Sequence, residues 1–200
     1  HCKSCIDVIE GEGKFAIEGI LDASLKVGTQ VLGYTVLGND DLIPSLIDKG
    51  CYFLITVGQI KSGVVRKKIY ERLIEYKAKL AIIISSAAIV SKHAEIGDGS
   101  IVMNGAIVNA GAVLGNNIIL NTGCLVEHDV SIDNHVHLST HAVLNGGVKI
   151  GEGSFIGSNS VVNQEVKIGK NVIVASGAVV ISDLPEPGIY YGVPAKKMDQ

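Results

Sequence analysis

The sequence has 200 residues, of which 47% are hydrophobic, 18% are charged and only 4% are aromatic, and its formal net charge is −3. This composition excludes a disordered chain, which would be poor in apolar residues and rich in charge, and it offers no basic face for nucleic acid. No stretch approaches the roughly 18 to 20 consecutive apolar residues that a membrane-spanning helix needs. The 24 glycines predict many tight turns around a core of Val, Ile, Leu and Ala.

The start of the chain and its cysteines bear on the cellular location. The sequence opens with His-Cys-Lys-Ser-Cys, without a Met and without a long apolar segment. We therefore expect no signal peptide, and we expect a natural N-terminal piece ahead of His1. The chain has only four scattered cysteines: Cys2, Cys5, Cys51 and Cys124. Because a secreted disulfide scaffold would have more cysteines at closer spacing, we expect a cytoplasmic protein.

Residues 1–83 alternate between apolar runs and helical patterns. The predicted elements follow one another in chain order: strand 15–21, helix 40–49, strand 51–57, helix 61–77 and strand 80–84. This alternation favours a small parallel α/β domain. Ligands of such sheets bind beyond the carboxyl ends of the strands, where Asp22 and Gly58 follow the first two strands.

From residue 84 onward, an aliphatic residue recurs at every sixth position. Each of these positions from Ile84 to Val180 holds Val, Ile or Leu, without an insertion. A six-residue period fits a solenoid of short flat strands in which one aliphatic side chain per face points inward. Three hexapeptides make one triangular coil, so residues one coil apart in sequence stack about 4.8 Å from one another. The sequence therefore predicts a parallel β-helix over 84–183 and a tail over 184–200 that leaves it.

Three segments give the chain a more specific resemblance. They are residues 118–129, which end in Glu-His-Asp, residues 192–198 (Gly-Val-Pro-Ala-Lys-Lys-Met), and Val57-Gly58 followed by residues 66–70 (Arg-Lys-Lys-Ile-Tyr). Over nearly its whole length the chain resembles the hexapeptide-repeat sugar acetyltransferases. This group comprises sialic-acid O-acetyltransferases and nucleotide-aminosugar N-acetyltransferases such as the bacillosamine-pathway acetyltransferase.

The resemblance implies a fold, a cofactor and an assembly. The fold is a small N-terminal α/β (Rossmann-like) domain, residues 1–83, followed by a left-handed parallel β-helix of hexapeptide repeats. The α/β domain would bind a nucleotide sugar, and the β-helix would bind acetyl-CoA in a homotrimer. Members of the family open with a strand and a Gly-rich loop that ends in His, and only His1 of that loop remains here.

Acetyl transfer from a thioester to an amine needs a base that removes the amine proton. His128 lies two residues after Val126, at a corner of the coil, so its ring is free to point outward. Histidine suits the role because its ordinary pKa of about 6.5 lies near the working pH. Asp129 would hold the ring and favour its protonated form. The alternative for His128 is an ordinary surface histidine.

The remaining candidates divide between the two substrates. By resemblance, Asn121 would contact the acceptor sugar, or else belong to a ladder of corner asparagines. His1 would contact the sugar or a phosphate. Asp22 would bind the ribose or base, or else cap a strand end. Gly58, without a Cβ, would let the nucleotide approach the backbone.

The acetyl-CoA candidates are His137, Gly146, Ser158 and Ser176. The resemblance gives His137 a contact with acetyl-CoA, and the alternative is a polar residue on an exposed strand face. Ser158 and Ser176 are three hexapeptides apart and share one corner column, where small side chains would let pantetheine lie against the backbone. Gly146 shares a second column with His128. In a trimer, the two columns of neighbouring copies would face each other.

Three rival functions stand beside N-acetylation of a nucleotide-linked amino sugar. One is O-acetylation of a sugar such as sialic acid, and another is a non-catalytic solenoid that binds or scaffolds. The third is a zinc site, because γ-class carbonic anhydrases share the β-helix fold. No histidine recurs one full coil after another, so the sequence predicts no metal site. Cys124 falls in an inward phase, and Cys2 and Cys5 are expected to pack on a helix.

Overall fold

The computed structural model describes residues 1–60 and 62–198. It contains three α-helices and one short 3₁₀ turn at Asp40–Leu42. The α-helices are α1 (Cys2–Glu12), α2 (Ile43–Asp48) and α3 (Val64–Glu75). The predicted helices 40–49 and 61–77 are confirmed in shortened form. Lys61 and the last two residues of the predicted tail, 199–200, lie outside the described residues.

The N-terminal strands form two small sheets and not one. In the first, Ile20–Leu21 pairs in parallel with Tyr34–Gly38, which pairs antiparallel with Gln30–Val31. In the second, Tyr52–Phe53 pairs in parallel with Lys79–Leu80.

An apolar cleft of about 270 Å³ separates the two sheets, with residues 15–21 on one side and residues 51–57 on the other. The predicted strands 15–21 and 51–57 are therefore wrong in extent. A strand exists only where a neighbour completes its hydrogen-bond ladder, and within the described chain no strand runs between these two segments. The predicted strand 80–84 is likewise split, because Lys79–Leu80 belongs to the small sheet and Ile83–Ile84 begins the β-helix.

The β-helix has three flat faces of stacked parallel strands. Face 1 consists of Ile83–Ile84, Ile101–Val102, Ile119–Leu120, His137–Leu138, Phe155–Ile156 and Val172–Val174. Face 2 consists of Ile89–Val90, Ile107–Val108, Leu125–Val126, Val143–Leu144, Val161–Val162 and Val179–Val180. Face 3 consists of Glu95–Ile96, Val113–Leu114, Ser131–Ile132, Lys149–Ile150 and Lys167–Ile168. We name the corners by the faces that they join, so corner 2/3 joins faces 2 and 3.

The register confirms the predicted six-residue period. Val126 pairs with Val108 on one side and with Leu144 on the other, each three hexapeptides away. Each repeated aliphatic residue is in the strand of its face, and those of the middle coils are fully buried in one continuous core. The chain is thus a left-handed parallel β-helix that follows a small α/β domain.

The tail does not leave the solenoid as predicted. Strand Gly188–Tyr191 pairs in parallel with Val172–Val174 and extends face 1. Strand Lys196–Lys197 then pairs antiparallel with it. Leu184 is buried and bridges to Ile168. The first part of the tail therefore continues the stack, because an uncovered end coil would expose its core.

The outer surfaces of the three faces differ in chemistry. Face 1 is covered by the N-terminal domain, since Cys5 and Val8 of α1 pack on Ile83, Ile101 and Ile119. Face 2 carries a column of outward aliphatic side chains that stay partly or largely exposed: Ile89, Ile107, Leu125, Val143, Val161 and Val179. Face 3 carries a mostly polar outward column: Glu95, Val113, Ser131, Lys149 and Lys167. Among the helices described, none is long and apolar enough to cross a membrane.

Candidate functional site

His128 and Asp129 form a hydrogen-bonded pair at corner 2/3. The imidazole Nδ1 lies 2.9 Å from Asp129 Oδ2, and the two side chains are 65% and 73% exposed. A carboxylate can only accept, so Nδ1 carries the hydrogen and Nε2 keeps its lone pair. Asp129 adopts a left-handed backbone conformation with φ 60°, which Asp tolerates better than most residues do. The predicted orienting contact is present.

The surroundings of His128 favour its protonated form. The hydrogen bond to Asp129 raises the pKa of His128 above its ordinary 6.5, and the negative charges of Asp129 and Glu127 add to the effect. Glu127 is held in place by Asn109, whose Nδ2 donates to Glu127 Oε2 over 3.0 Å. The corner therefore holds a histidine that binds a proton readily and keeps one ring nitrogen directed away from its partner.

Glycine makes room for this pair on the coils on either side. A Cβ on Gly146 would lie 2.8 Å from both Cε1 and Nε2 of His128, and a Cβ on Gly111 would lie 2.5 Å from Asp129 Oδ1. The sequence assigned Gly146 to acetyl-CoA binding. In the structure it lies directly against the His128 ring, so anything that rests on this corner touches both residues.

A second group of predicted residues meets on face 1. The rings of His1 and His137 have centroids 6.2 Å apart. The position of a Cβ on Gly58 lies 3.6 Å from His1 Cβ. Asn121 Nδ2 lies 3.4 Å from His137 Nε2. His137, which was predicted on the acetyl-CoA side, thus lies with the residues predicted to bind the acceptor.

His137 is not on an exposed strand face, which was the alternative for it. Its side chain is 5% exposed, and it packs edge-on against Phe155. Nδ1 donates to the main-chain oxygen of Gln59 over 2.7 Å. Burial lowers the pKa of His137 to about 4. The ring is therefore neutral near pH 7 and offers Nε2 as a hydrogen-bond acceptor.

Asp22 caps the turn that follows its strand. Its Oδ1 accepts from the main-chain N and the Oγ of Ser24 and from the main-chain N of Leu25, each at 2.8 Å. The hydrogen bonds from Ser24 lower the pKa of Asp22. These contacts fit the alternative given for Asp22, in which it caps the end of its strand. A role of Asp22 in nucleotide binding stays a prediction.

Ser158 and Ser176 stack at corner 1/2 as their spacing of one coil predicts. Ser158 Oγ lies 2.8 Å from Ser139 Oγ, and Gly177 N, next to Ser176, donates to Ser158 O over 2.8 Å. Ser176 is exposed. The corner therefore has small polar groups and main chain at its outer surface.

One copy of the chain does not bring all the candidates together. In a triangular coil, corner 2/3 lies opposite face 1. His128 and Asp129 are at that corner, whereas His1, Gly58 and His137 lie on or over face 1. The His128–Asp129 pair and the group formed by His1, Gly58 and His137 therefore lie on opposite sides of the β-helix.

The cysteines and metal-binding side chains give no rival site. Cys124 is fully buried in the β-helix core, and burial raises its pKa to about 12. Cys5 of α1 is buried too, and its pKa is also raised to about 12. Both thiols stay protonated and are poor nucleophiles. Over residues 1–60 and 62–198, no group of three or more His, Cys, Asp or Glu is placed to hold a metal ion.

Sequence reasoning missed two buried polar residues near His1, Gly58 and His137, namely Gln59 and Arg66. Gln59 follows Gly58, and Arg66 lies in the first turn of α3. Both are at most 2% exposed. Arg66 stood in a segment that carried the family resemblance, but neither residue type is normally buried. Only the contact between domains reveals them.

Comparison with known proteins agrees with this architecture. The family model described as "PglD N-terminal domain" matches residues 1–73, and the model described as "Bacterial transferase hexapeptide (six repeats)" matches residues 147–182. Comparison with curated proteins gave no match.

Several solved structures are similar over almost the full length. The acetyltransferase domain of PglB from Neisseria gonorrhoeae FA1090 is 33% identical, with a TM-score of 0.92, over 98% of this chain and 94% of that chain. The same domain is also matched in complex with acetyl coenzyme A. A mutant of perosamine N-acetyltransferase from Caulobacter crescentus, in complex with CoA and GDP-perosamine, is 32% identical with a TM-score of 0.92. That match covers 100% of this chain and 93% of the other.

A more distant match is WeeI from Acinetobacter baumannii AYE, at 25% identity and a TM-score of 0.84 over 98% of this chain and 94% of that chain. The PglB and perosamine matches have the higher identities, and they include both the N-terminal domain and the β-helix. The chain therefore belongs to the family of hexapeptide-repeat acetyltransferases that carry a PglD-type N-terminal domain.

Proposed function

We propose that this enzyme transfers the acetyl group of acetyl-CoA to the amino group of a nucleotide-linked amino sugar. The observation that carries the proposal is the His128–Asp129 pair, which leaves a basic Nε2 free at an exposed corner. Two similar structures support the choice of substrates, one in complex with acetyl coenzyme A and one with CoA and GDP-perosamine. The name of the second, an N-acetyltransferase, favours an amine over a hydroxyl acceptor.

In the proposed reaction, His128 acts as general base. The amine nitrogen attacks the thioester carbonyl carbon while Nε2 of His128 takes the amine proton. The tetrahedral intermediate then collapses, the carbon–sulfur bond breaks, and the imidazolium returns the proton to the thiolate of CoA. Asp129 accepts the Nδ1 hydrogen throughout and stabilises the imidazolium, as an orienting carboxylate does in other enzymes. No acyl-enzyme forms.

The two substrates are proposed to bind on different parts of the fold. His1, Gly58 and Asn121 would contact the acceptor, with Asp22 at the end of its strand for the nucleotide. Acetyl-CoA would run along corner 1/2 of one copy, past Ser158 and Ser176, and end at Gly146 beside His128 of a neighbouring copy. We keep His137 as a contact of acetyl-CoA, as the family resemblance implies, with Nε2 as the ring atom that accepts a hydrogen bond.

A complete site requires a second copy of the chain. Because corner 2/3 lies opposite face 1, the base of one copy reaches only an acceptor that is bound on its neighbour. Heterologous contacts of this kind close into rings. We propose a ring of three, the number that the family resemblance implies.

Face 2 has the surface that such a ring needs. All six of its outward strand positions are aliphatic, and Ile89 is 66% exposed. Face 3 places Glu95, Ser131 and two lysines at the equivalent positions. An apolar column of this length on a flat sheet is typical of an interaction surface. Face 2 also lies between corners 1/2 and 2/3, so its burial brings both corners to the interface.

We assign the reaction to the cytoplasm. All four cysteines are free, and two of them are only partly buried. Thiols in this state persist in a reducing compartment.

The test of the proposed function is turnover of acetyl-CoA with a panel of UDP-, GDP- and dTDP-linked amino sugars. Free CoA is measured with a thiol reagent, and the product is identified by mass spectrometry. We expect one amino sugar to gain an acetyl group on nitrogen. The matched control is the hydroxyl analogue of the same sugar, and acetylation of that analogue at an equal rate would contradict an amine acceptor.

Asp129→Asn is expected to shift the acidic limb of the pH profile of kcat/KM to lower pH. The carboxylate stabilises protonated His128, so its removal lowers the pKa at which the base becomes free. The maximal rate should fall at the same time, by less than for loss of His128 itself, because the amide orients the ring less well. Rates measured from pH 5 to pH 9 check this. A limb that stays in place would show that Asp129 does not set the pKa of the base.

Gly146→Ala is expected to lower kcat while the protein stays folded. The new Cβ would stand 2.8 Å from His128 Nε2, so the ring must turn away from its present position. A displacement of about 1 Å at a reacting group can cost roughly 100-fold in rate. The control is Gly11→Ala near the end of α1, where a Cβ meets nothing within 4 Å and the backbone is not left-handed. Equal rates for the two variants would mean that the ring position does not matter.

A further inference from the structure

The segment 54–60, which follows Tyr52–Phe53, crosses the outside of face 1, and Gln59 fixes it there. This glutamine is 2% exposed. Its side-chain Nε2 donates to Gly153 O over 2.9 Å, and its main-chain oxygen accepts from His137 Nδ1 over 2.7 Å. Gln59 is thus hydrogen-bonded to the β-helix through both its side chain and its main chain.

Gly63, just before α3, lies against the same amide. A Cβ on Gly63 would lie 2.8 Å from Gln59 Oε1 and 2.9 Å from Cδ. Any side chain at position 63 would therefore push against the Gln59 amide. The absence of a Cβ at Gly63 lets its backbone lie directly against the Gln59 amide.

A second anchor lies just after this segment, on the same corner of the β-helix. Arg66 is 1% exposed, and its Nη1 donates to Asn117 O over 2.5 Å. Asn117 and Gly153 stand in one column of corner 3/1, two coils apart, with His135 between them. Asn117 Nδ2 in turn lies 2.9 Å from His135 Nδ1. Gln59 and Arg66 thus hold main-chain oxygens of a single column.

The hydrogen bond between the main-chain oxygen of Gln59 and His137 Nδ1 determines the tautomer of His137. The main-chain oxygen can only accept, so Nδ1 of His137 carries the hydrogen. Nε2 is then the acceptor, and it faces Nδ2 of Asn121 at 3.4 Å. If the segment moved away, the ring would lose the partner that selects this tautomer. Gly58, the neighbour of Gln59, would lose its position beside His1 as well.

We propose that Gln59 is a positioning residue for the acceptor, which fixes the segment containing Gly58 and selects the His137 tautomer that accepts toward Asn121. The role rests on the proposed function, since it assumes that the acceptor binds beside Gly58. Gln59 acts through other residues and touches neither reacting group.

The kinetic test uses Gln59→Met, which keeps the length of the side chain and removes its hydrogen bond. We expect the KM for the nucleotide sugar to rise roughly 3- to 10-fold, the loss typical of one hydrogen bond. The KM for acetyl-CoA should rise less than the KM for the nucleotide sugar, because Gly146, Ser158 and Ser176 lie at other corners and only His137 is shared with Gln59. Gly63→Ala should give the same pattern, since its Cβ displaces the amide. Gln30→Met, on the exposed hairpin, is the control and should leave all constants unchanged.

A second readout does not depend on turnover. Nitrogen-15 NMR of the ligand-free protein should show His137 neutral from pH 5 to pH 9, with its hydrogen on Nδ1 and slow to exchange. In Gln59→Met and Gly63→Ala that exchange should become faster, while the melting temperature stays close to that of the wild type.

The two readouts separate the possible failures. An unchanged sugar KM and unchanged His137 exchange in a folded variant would overturn the role of Gln59. An equal rise in both KM values would overturn it too, because that result indicates a general loss of structure. If the wild-type enzyme acetylated no amino sugar, the proposed function would fail, and the His137 signal would still decide whether Gln59 selects the tautomer.

Discussion

Replacing His128 by alanine is expected to lower kcat by roughly 10²–10⁴-fold, the range for loss of a general base. In the described part of the chain no other histidine lies at corner 2/3 on the same coil, so no nearby ring replaces the missing Nε2. The side chain is largely exposed and lies outside the core cluster. The variant should therefore fold normally and bind acetyl-CoA with little change, which calorimetry measures.

The matched control is His93→Ala. His93 is also an exposed histidine at corner 2/3, two coils away in the column of Asp129. Its loss should leave kcat within about twofold of the wild type, since it contacts none of the proposed site. A His128→Ala enzyme with near-normal turnover, or an equal loss in both variants, would remove His128 from the role of base.

Placing a charge in the middle of face 2 is expected to dissociate the enzyme and abolish its activity. Val143 lies outward between Leu125 and Val161 in the aliphatic column. In Val143→Lys, an ammonium group would be buried against another copy without a partner, which costs several kcal/mol. Because a single copy holds the base and the acceptor on opposite sides, the monomer should lose turnover by roughly the same factor as a variant without the base.

Ser131→Lys controls for the added charge. Ser131 has the same outward strand position on face 3, where it stacks between Val113 and Lys149. That face is already polar, so this variant should keep the mass and the activity of the wild type. Light scattering and turnover are measured on both proteins. A Val143→Lys protein that is fully active as a monomer would refute the shared site.

The β-helix could be predicted from sequence because its structure is local and repeated. Each coil uses the same six-residue pattern three times, so the aliphatic residues fix both the inward face and the register between coils. Val126, for example, must stack between Val108 and Leu144 if three hexapeptides make one coil. The pairing of His128 with Asp129 was predictable for the same reason, since the two residues are adjacent at a corner.

The N-terminal domain was harder because its strands depend on partners that are distant in sequence. Residues 15–21 have the composition of a strand, but only Ile20–Leu21 pairs with a neighbouring strand. The hairpin that supplies this neighbour was missed, because its turn residues, Leu32 and Gly33, lack the Asn-Gly or Asp-Gly signal. Both have positive φ, 49° and 86°. A left-handed backbone conformation at a leucine cannot be predicted from the residue type.

The environment of His137 could not be derived from the repeat either. Its phase places it on the outward side of face 1, as predicted. Whether that side is open or covered depends on where another domain packs, and the segment around Gln59 covers it. Burial under this segment lowers the pKa of His137 to about 4, so the ring is a neutral hydrogen-bond acceptor.

The most direct test of a site shared between copies is complementation between two inactive variants. One variant is His128→Ala, which lacks the base. The other is Gly58→Trp, whose indole would occupy the space beside His1, and whose fold should survive because Gly58 is exposed and does not have a left-handed backbone. The two chains are expressed together with different affinity tags, and mixed trimers are isolated by two successive affinity steps.

In a closed ring, every mixed trimer contains one site that joins an intact Gly58 from one chain to an intact His128 from the next, so about one third of the sites should work. A site shared between copies therefore predicts that mixed trimers regain about one third of wild-type turnover, while each variant alone has almost none. Mixed trimers as inactive as the parent variants would contradict it, because they would place Gly58 and His128 in the site of a single chain.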